Sequence, residues 1–144
     1  VKAPDPNFAS RVRESFGRQK AMALIGASLT RVEPGEVEIA LPYREDLTQQ
    51  KGFIHGGILG MIADTACGYA AFSLMPAGGS LVTVEYKMNI LKPGRGSLVA
   101  HAKVIRPGRT LTVARGEVYA DDGSYVATML QTLMALPGRT DTPE

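Results

Sequence analysis

His55, Gly56 and Gly57 stand immediately before an apolar run that a single acid, Asp64, interrupts. From Ile58 to Phe72 the side chains are Ile, Leu, Met, Ala, Tyr, Phe and Cys, apart from Gly60, Gly68, Asp64 and Thr65. A helix that is apolar all round is a buried helix, and a carboxylate ionised inside it is costly unless paired or hydrogen-bonded. Two glycines at a helix entrance leave backbone N–H groups uncovered, which suits an anion or an oxygen that gains charge during a reaction. A carboxylate able to take a proton or attack a carbonyl carbon, near an oxyanion-binding helix end, is chemistry suited to hydrolysis.

Those residues need a scaffold, and the periodicities of the chain describe one. Residues 1–7 form a loose entry, and Phe8, Val12, Phe16, Met22 and Ile25 predict one amphipathic helix over Phe8–Ile25. Arg31 to Leu41 predicts a half-buried strand with Val37, Ile39 and Leu41 inward. A polar loop over 43–54 leads into the buried helix, expected from Gly56 to Ser73 and stopped by Pro76-Ala77-Gly78-Gly79. The period then switches to two. Ser80–Leu91 places Val82, Val84, Tyr86, Met88 and Ile90 on one face, and strands follow around Leu98–Val104, Thr110–Ala120 and Tyr125–Leu136. The turns Lys92–Gly96, Arg106–Arg109 and Asp121–Gly123 are expected to join successive antiparallel neighbours, with a frayed tail from Pro137.

A chain of 144 residues suits one domain. We expect an N-terminal helical extension over 1–27, a core over 28–136 and a tail over 137–144. The formal net charge is +2, with no block of five Lys or Arg, which argues against nucleic-acid binding by bulk electrostatics. Cys67 is the only cysteine, so an internal disulfide and a cysteine-based zinc cluster are excluded; no metal is expected, and a reducing, cytoplasmic compartment fits. No apolar h-region stands near Val1, and the run at 58–72 is too short to span a bilayer, so no signal peptide and no membrane association are expected.

The order helix, strand, buried helix and four strands, an α+β arrangement, resembles the hotdog fold, in which a curved antiparallel sheet wraps one long helix. Three segments match in order and spacing: His55-Gly56-Gly57-Ile58, Ala63-Asp64-Thr65-Ala66, and Val84-Glu85-Tyr86-Lys87-Met88-Asn89-Ile90-Leu91-Lys92-Pro93. They are similar to the acyl-CoA thioesterases of the phenylacetate-degradation (PaaI) type. The resemblance implies hydrolysis of an acyl-CoA to a free acid and coenzyme A, with coenzyme A as part of the substrate and no other cofactor.

It also implies roles. Asp64 would be the base or nucleophile, and the Gly57 N–H the oxyanion donor. Gln49 would orient water or the substrate carbonyl, although Gln50 stands next to it. Thr83 matches the place where some relatives hold the attacking water, and His55 either orients the carbonyl or is a structural loop residue. Gly56 borders the substrate or only allows close packing. Lys92, Arg95, Arg106 and Arg109 are candidates for the coenzyme A phosphates, and each could equally be a solvated turn residue. Within one helix Gly57 and Asp64 lie about 10 Å apart, so the resemblance implies a homodimer whose antiparallel helices share each site, and a homotetramer built from it. The alternatives are a hotdog hydratase or dehydratase, which would call on His55 or His101, and an acyl-CoA-binding protein without chemistry.

Overall fold

The computed structural model describes residues 1–143. The N-terminal amphipathic segment is two helices rather than one, α1 (Phe8–Gly17) and α2 (Lys20–Ile25). The break falls at Gln19, which is extended (φ −76°, ψ 98°), and a left-handed Gly26 (φ 77°) ends α2. The periodicity runs on across the break because Phe16, Met22 and Ile25 all still pack on the core.

The strand expected over 31–41 is a hairpin. β1 (Ser28–Glu33) and β2 (Glu36–Leu41) pair antiparallel, and Val37, Ile39 and Leu41 of β2 are buried as the alternation predicts. The turn is Pro34-Gly35, where Gly35 takes φ 73°; proline lacks the ladder N–H and glycine supplies the positive φ. A polar β1, with only Val32 buried, left no inward pattern for the sequence to reveal.

The central helix α3 (Gly56–Phe72) has 17 residues, about 25 Å of helix. Four long strands follow: β3 (Gly79–Ile90), β4 (Leu98–Arg106), β5 (Leu111–Ala120) and β6 (Tyr125–Pro137). With β1 and β2 they make one antiparallel sheet in the order β1-β2-β4-β5-β6-β3. The sheet curls over α3, which meets β2, β3, β4, β5 and β6. This is the hotdog arrangement.

Two of the three expected turns do join neighbours, β4 to β5 and β5 to β6. The third does not. Residues 91–97 carry the chain from β3 across to β4, which pairs with β2 and β5, while β3 pairs with β6 and lies on the edge. A proline-glycine turn looks alike in sequence whether its flanking strands meet or cross over.

One irregularity in β3 matters for everything below. The register on β6 shifts between Thr83 and Glu85, which leaves Val84 as an extra, bulged residue. Leu81 and Thr83 therefore face inward before the bulge, opposite Ala135 and Leu133, and Tyr86, Met88 and Ile90 face inward after it, opposite Gln131, Met129 and Ala127. The face expected to run unbroken from Val82 to Ile90 is corrected by this register: Val82 lies on the opposite face and Val84 is the bulged residue, while Tyr86, Met88 and Ile90 share the face toward α3, with Tyr86 and Ile90 still exposed at the sheet edge.

The tail is tied down. Asp141 accepts from Arg18 at 2.9 Å and hydrogen-bonds the buried Ser15 hydroxyl, so this stretch is not the frayed end that its polarity predicts. No helix among the described residues is long and apolar enough to cross a membrane.

Candidate active site

His55 closes the entrance of α3 with its own ring. It is the N-cap residue, and its Nδ1 accepts from the Gly57 N–H at 2.8 Å, while its carbonyl accepts from Ile58 and Leu59. An imidazole here does what Ser, Asp or Asn usually does at an N-cap. The two glycines have different reasons. A Cβ on Gly56 would lie 3.1 Å from Ile90 Cδ1, whereas one on Gly57 would lie 3.0 Å from the capping His55 nitrogen. A side chain would thus press on the tip of Ile90 at Gly56 and on the capping ring at Gly57.

The opening beside this helix end is lined by Gln49, Lys51, Phe53, Gly56, Ile90 and Lys92, among others. Gln49 Oε1 is turned into its own loop, accepting from the N–H groups of Lys51 (2.5 Å) and Phe53 (3.3 Å). Gln50 is exposed and does not line the opening.

Asp64 lies two turns further along α3, on a half-buried position rather than deep in the core. Its Oδ1 accepts two hydrogen bonds, from Thr83 Oγ1 at 2.9 Å and from Gln131 Nε2 at 2.7 Å. The bulge at Val84 is what turns Thr83 toward α3 while keeping Tyr86 and Met88 against Gly60. Gln131 is fully buried, and its Oε1 has no partner. Sequence reading missed it, although a signal existed: the inward positions of β6 read Ala127, Met129, Gln131, Leu133, one amide among apolar side chains. Asp64 and Thr83 border a groove with Thr65, Gly68, Tyr69, Phe72 and Leu81. Within one chain this groove and the opening at Gly56 share no lining residue. The two halves of the site do not meet.

The thioesterase superfamily model matches residues 51–127, from the loop before α3 into the start of β6. That is more than half of the chain. The chain belongs to the thioesterase superfamily. A thioesterase family protein from Silicibacter pomeroyi is 50% identical, with a TM-score of 0.88 over 91% of this chain and 99% of that one. The Escherichia coli PaaI protein of the phenylacetic acid degradation operon shares the fold, with a TM-score of 0.85 at 21% identity over 92% and 95% of the two chains. A Halobacterium salinarum protein named as a candidate esterase is 36% identical over 98 residues, which span 65% of each chain. The medium/long-chain acyl-CoA thioesterase YigI of Salmonella typhimurium is 24% identical over 126 residues, covering 76% of this chain and 81% of that one.

Burial shifts two other titratable groups of α3. Burial, with smaller contributions from Asp64 and Glu117, pushes the Cys67 thiol up to about 12. At that value it is protonated at neutral pH and fills the core against Gly116. Burial also raises the Tyr69 phenol, which bonds Ser15 at 3.0 Å and Gln19 at 3.1 Å. His101 is paired with Glu36 at 2.8 Å and borders neither opening. Of the basic candidates, Lys92 lines the opening at Gly56, and Arg95 stacks on Phe53 of the same opening at 4.6 Å. Arg106 ends β4 and Arg109 follows it, at the end of the strand away from this opening, and neither lines it.

Proposed function

We propose that this protein hydrolyses acyl-CoA thioesters to a free acid and coenzyme A, at sites each completed by two subunits. The observation that carries the reading is one stripe of α3. Gly57, Met61, Asp64, Thr65 and Gly68 recur at helical spacing, and all are left partly or fully uncovered by the chain's own sheet. The adjoining β3 is an edge strand with Val82, Val84, Tyr86 and Ile90 exposed. An unpaired, apolar edge is a template for another strand. A two-fold axis near Met61 would pair β3 with its copy and set Asp64 of one α3 opposite Gly57 of the other.

In that arrangement the thioester carbonyl oxygen binds at the Gly57 N–H, where the helix dipole favours the charge that develops on it. The ring nitrogen of His55 now occupies the place of that oxygen, and a substrate carbonyl replaces it. Thr83 and Gln131 hold Oδ1 of Asp64, so Oδ2 is the oxygen left to work. As a base, Oδ2 takes a proton from water as its oxygen attacks the carbonyl carbon; collapse of the oxyanion then breaks the C–S bond, and the thiolate regains a proton. As a nucleophile, Oδ2 attacks the same carbon, and collapse of the oxyanion breaks the C–S bond and expels the coenzyme A thiolate, which takes a proton from water; hydrolysis of the resulting anhydride then releases the free acid and restores Asp64. Lys92 and Arg95, with Lys51, offer cations to the coenzyme A phosphates at the Gly56 opening. Exposed Ile105, Leu111, Tyr119 and Leu130 on the strands offer a second apolar surface for a tetramer.

The test is thiol release from a panel of acyl-CoA substrates, combined with subunit mixing. Asp64→Ala and Gly57→Pro proteins should each be inactive. Exchanged together, they should regain activity, because one site of each mixed dimer carries both native residues. Exchange verified by mass without returning activity would end the shared-site reading; hydrolysis by neither parent protein nor wild type would end the hydrolase reading.

A further inference from the structure

The groove beside Asp64 has a neighbour along the inner face of β3. Leu81 forms one wall of the groove and also one wall of a larger cavity at the C-terminal end of α3. The groove encloses about 180 Å³ and the cavity about 390 Å³. The cavity is walled by Ala71, Leu74 and Met75 from α3 and its exit, and by Leu81, Leu133 and Ala135 from β3 and β6. Among the described residues no aromatic ring lines it, and its single charged residue is Arg109 at the exposed rim. The register puts the two spaces along one face: Thr83 pairs with Leu133 and Leu81 with Ala135, so all four side chains share the inner face.

We propose that these two spaces form one acyl-binding tunnel, and that its preferred substrates carry unbranched aliphatic chains of medium length. This rests on the hydrolase reading above and goes further by placing the acyl group. The thioester carbon sits at Asp64, the first carbons lie in the groove over Gly68, and the chain passes Leu81 into the cavity. From Thr83 back to Gly79 the path follows β3 for about 13 Å, which suits an octanoyl or decanoyl chain. A cavity of this size, apolar and free of rings, gains most from filling with methylenes. A benzoyl or phenylacetyl group would fill only the groove and leave the larger space empty. Leu81, half-buried, sits between the two spaces and would have to turn aside for a chain to pass.

The experiment measures kcat/KM for butyryl-, hexanoyl-, octanoyl-, decanoyl-, palmitoyl-, benzoyl- and phenylacetyl-CoA. Wild type should peak at octanoyl or decanoyl. Ala135→Phe fills the cavity from β6, and Thr112→Phe fills it from β5. In each variant that keeps its melting temperature, the decanoyl-to-butyryl ratio of kcat/KM should fall about tenfold or more, the scale on which pockets discriminate chain length. Two variants on separate strands guard against one failing to fold. A ratio unmoved in folded variants, or a wild-type preference for benzoyl- or phenylacetyl-CoA, overturns the tunnel while leaving the hydrolase standing. If no thioester is cleaved, the hydrolase reading falls instead. Calorimetric titration with decanoyl-CoA then reads the tunnel directly: Ala135→Phe should weaken binding about tenfold, and unchanged binding would overturn it.

Discussion

The two ends of the candidate site are built on different principles, though seven residues of one helix separate them. At Gly57 the proposed oxyanion donor is a backbone N–H on an exposed residue, bonded to the imidazole of His55. At Asp64 the proposed base or nucleophile is a side chain fixed by two donors, one from the edge strand β3 and one a fully buried amide on the neighbouring β6. The first half is free to exchange its partner; the second is locked before substrate arrives. Preorganised groups cost little reorganisation in the transition state, so the locked half is where substitution should hurt turnover, and the open half where it should affect binding.

Asp64→Asn is the largest expected effect. The amide oxygen can accept from Thr83 and Gln131 as the carboxylate does, so the fold should hold while basicity and nucleophilicity vanish. We expect kcat to fall by about 10²-fold or more with little change in KM. Thiol release and melting temperature on one preparation check this. Near-normal turnover with lost stability would make Asp64 a structural residue and dissolve the contrast between the two ends.

Gln131→Leu sharpens it. The substitution removes a donor to Asp64, but it also removes a buried carbonyl that has no partner, which itself costs about 1–3 kcal/mol. Melting temperature should therefore stay level or rise, while kcat falls about tenfold with KM unmoved, the size of one misplaced hydrogen bond rather than a lost base. A purely structural glutamine would show the opposite pair of changes. Gln131→Met, similar in length without a donor, should match Leu.

The same contrast explains what could be read from the sequence. The positions of Gly56-Gly57 at the helix entrance and of Asp64 two turns on were legible because the pattern is local: turn residues, apolar run, one acid. Strands β4, β5 and β6 and the length of α3 were legible because burial on one face writes itself as a period. The partner of Asp64 was not, because Gln131 lies 67 residues away and reaches it only through the pairing of β6 with β3. Thr83 came from family likeness alone; alternation put it on the wrong face, since the bulge at Val84 cannot be seen in a pattern of period two. The crossover after β3 and the hairpin at Pro34-Gly35 failed for a related reason, as turn residues mark where a chain bends and not which strand it then joins.

His55→Ala should act at the open end, and more gently. It frees the Gly57 N–H, which then meets water or substrate without first releasing the ring. It also removes an N-cap, with a stability cost of about 1 kcal/mol. We expect kcat/KM to change by a few-fold, mostly through KM, with a lower melting temperature. A loss of kcat as large as that of Asp64→Asn would mean that the imidazole takes part in the chemistry.

The smallest effect on activity is expected at Cys67, one turn from Asp64 but facing the core. With its thiol pushed up to about 12 by burial, it carries no thiolate at neutral pH, and iodoacetamide should leave the folded protein unlabelled and active. Its titration should appear in stability instead. The folded thiol holds its proton above the ordinary value of 9.0, so the unfolded chain loses that proton first as pH rises. Stability from this group is then complete below about pH 9 and declines progressively toward pH 12, the sign expected when the folded state binds more protons. Cys67→Ala removes that decline and opens only a small void beside Gly116, so its alkaline unfolding curve should be flatter than wild type. Chemical denaturation at pH 8 and pH 10.5 measures both slopes. A Cys67→Ala protein that loses stability as steeply as wild type between those points would place the alkaline sensitivity elsewhere, and labelling of the native thiol at neutral pH would show that this side of α3 is more open than its packing implies.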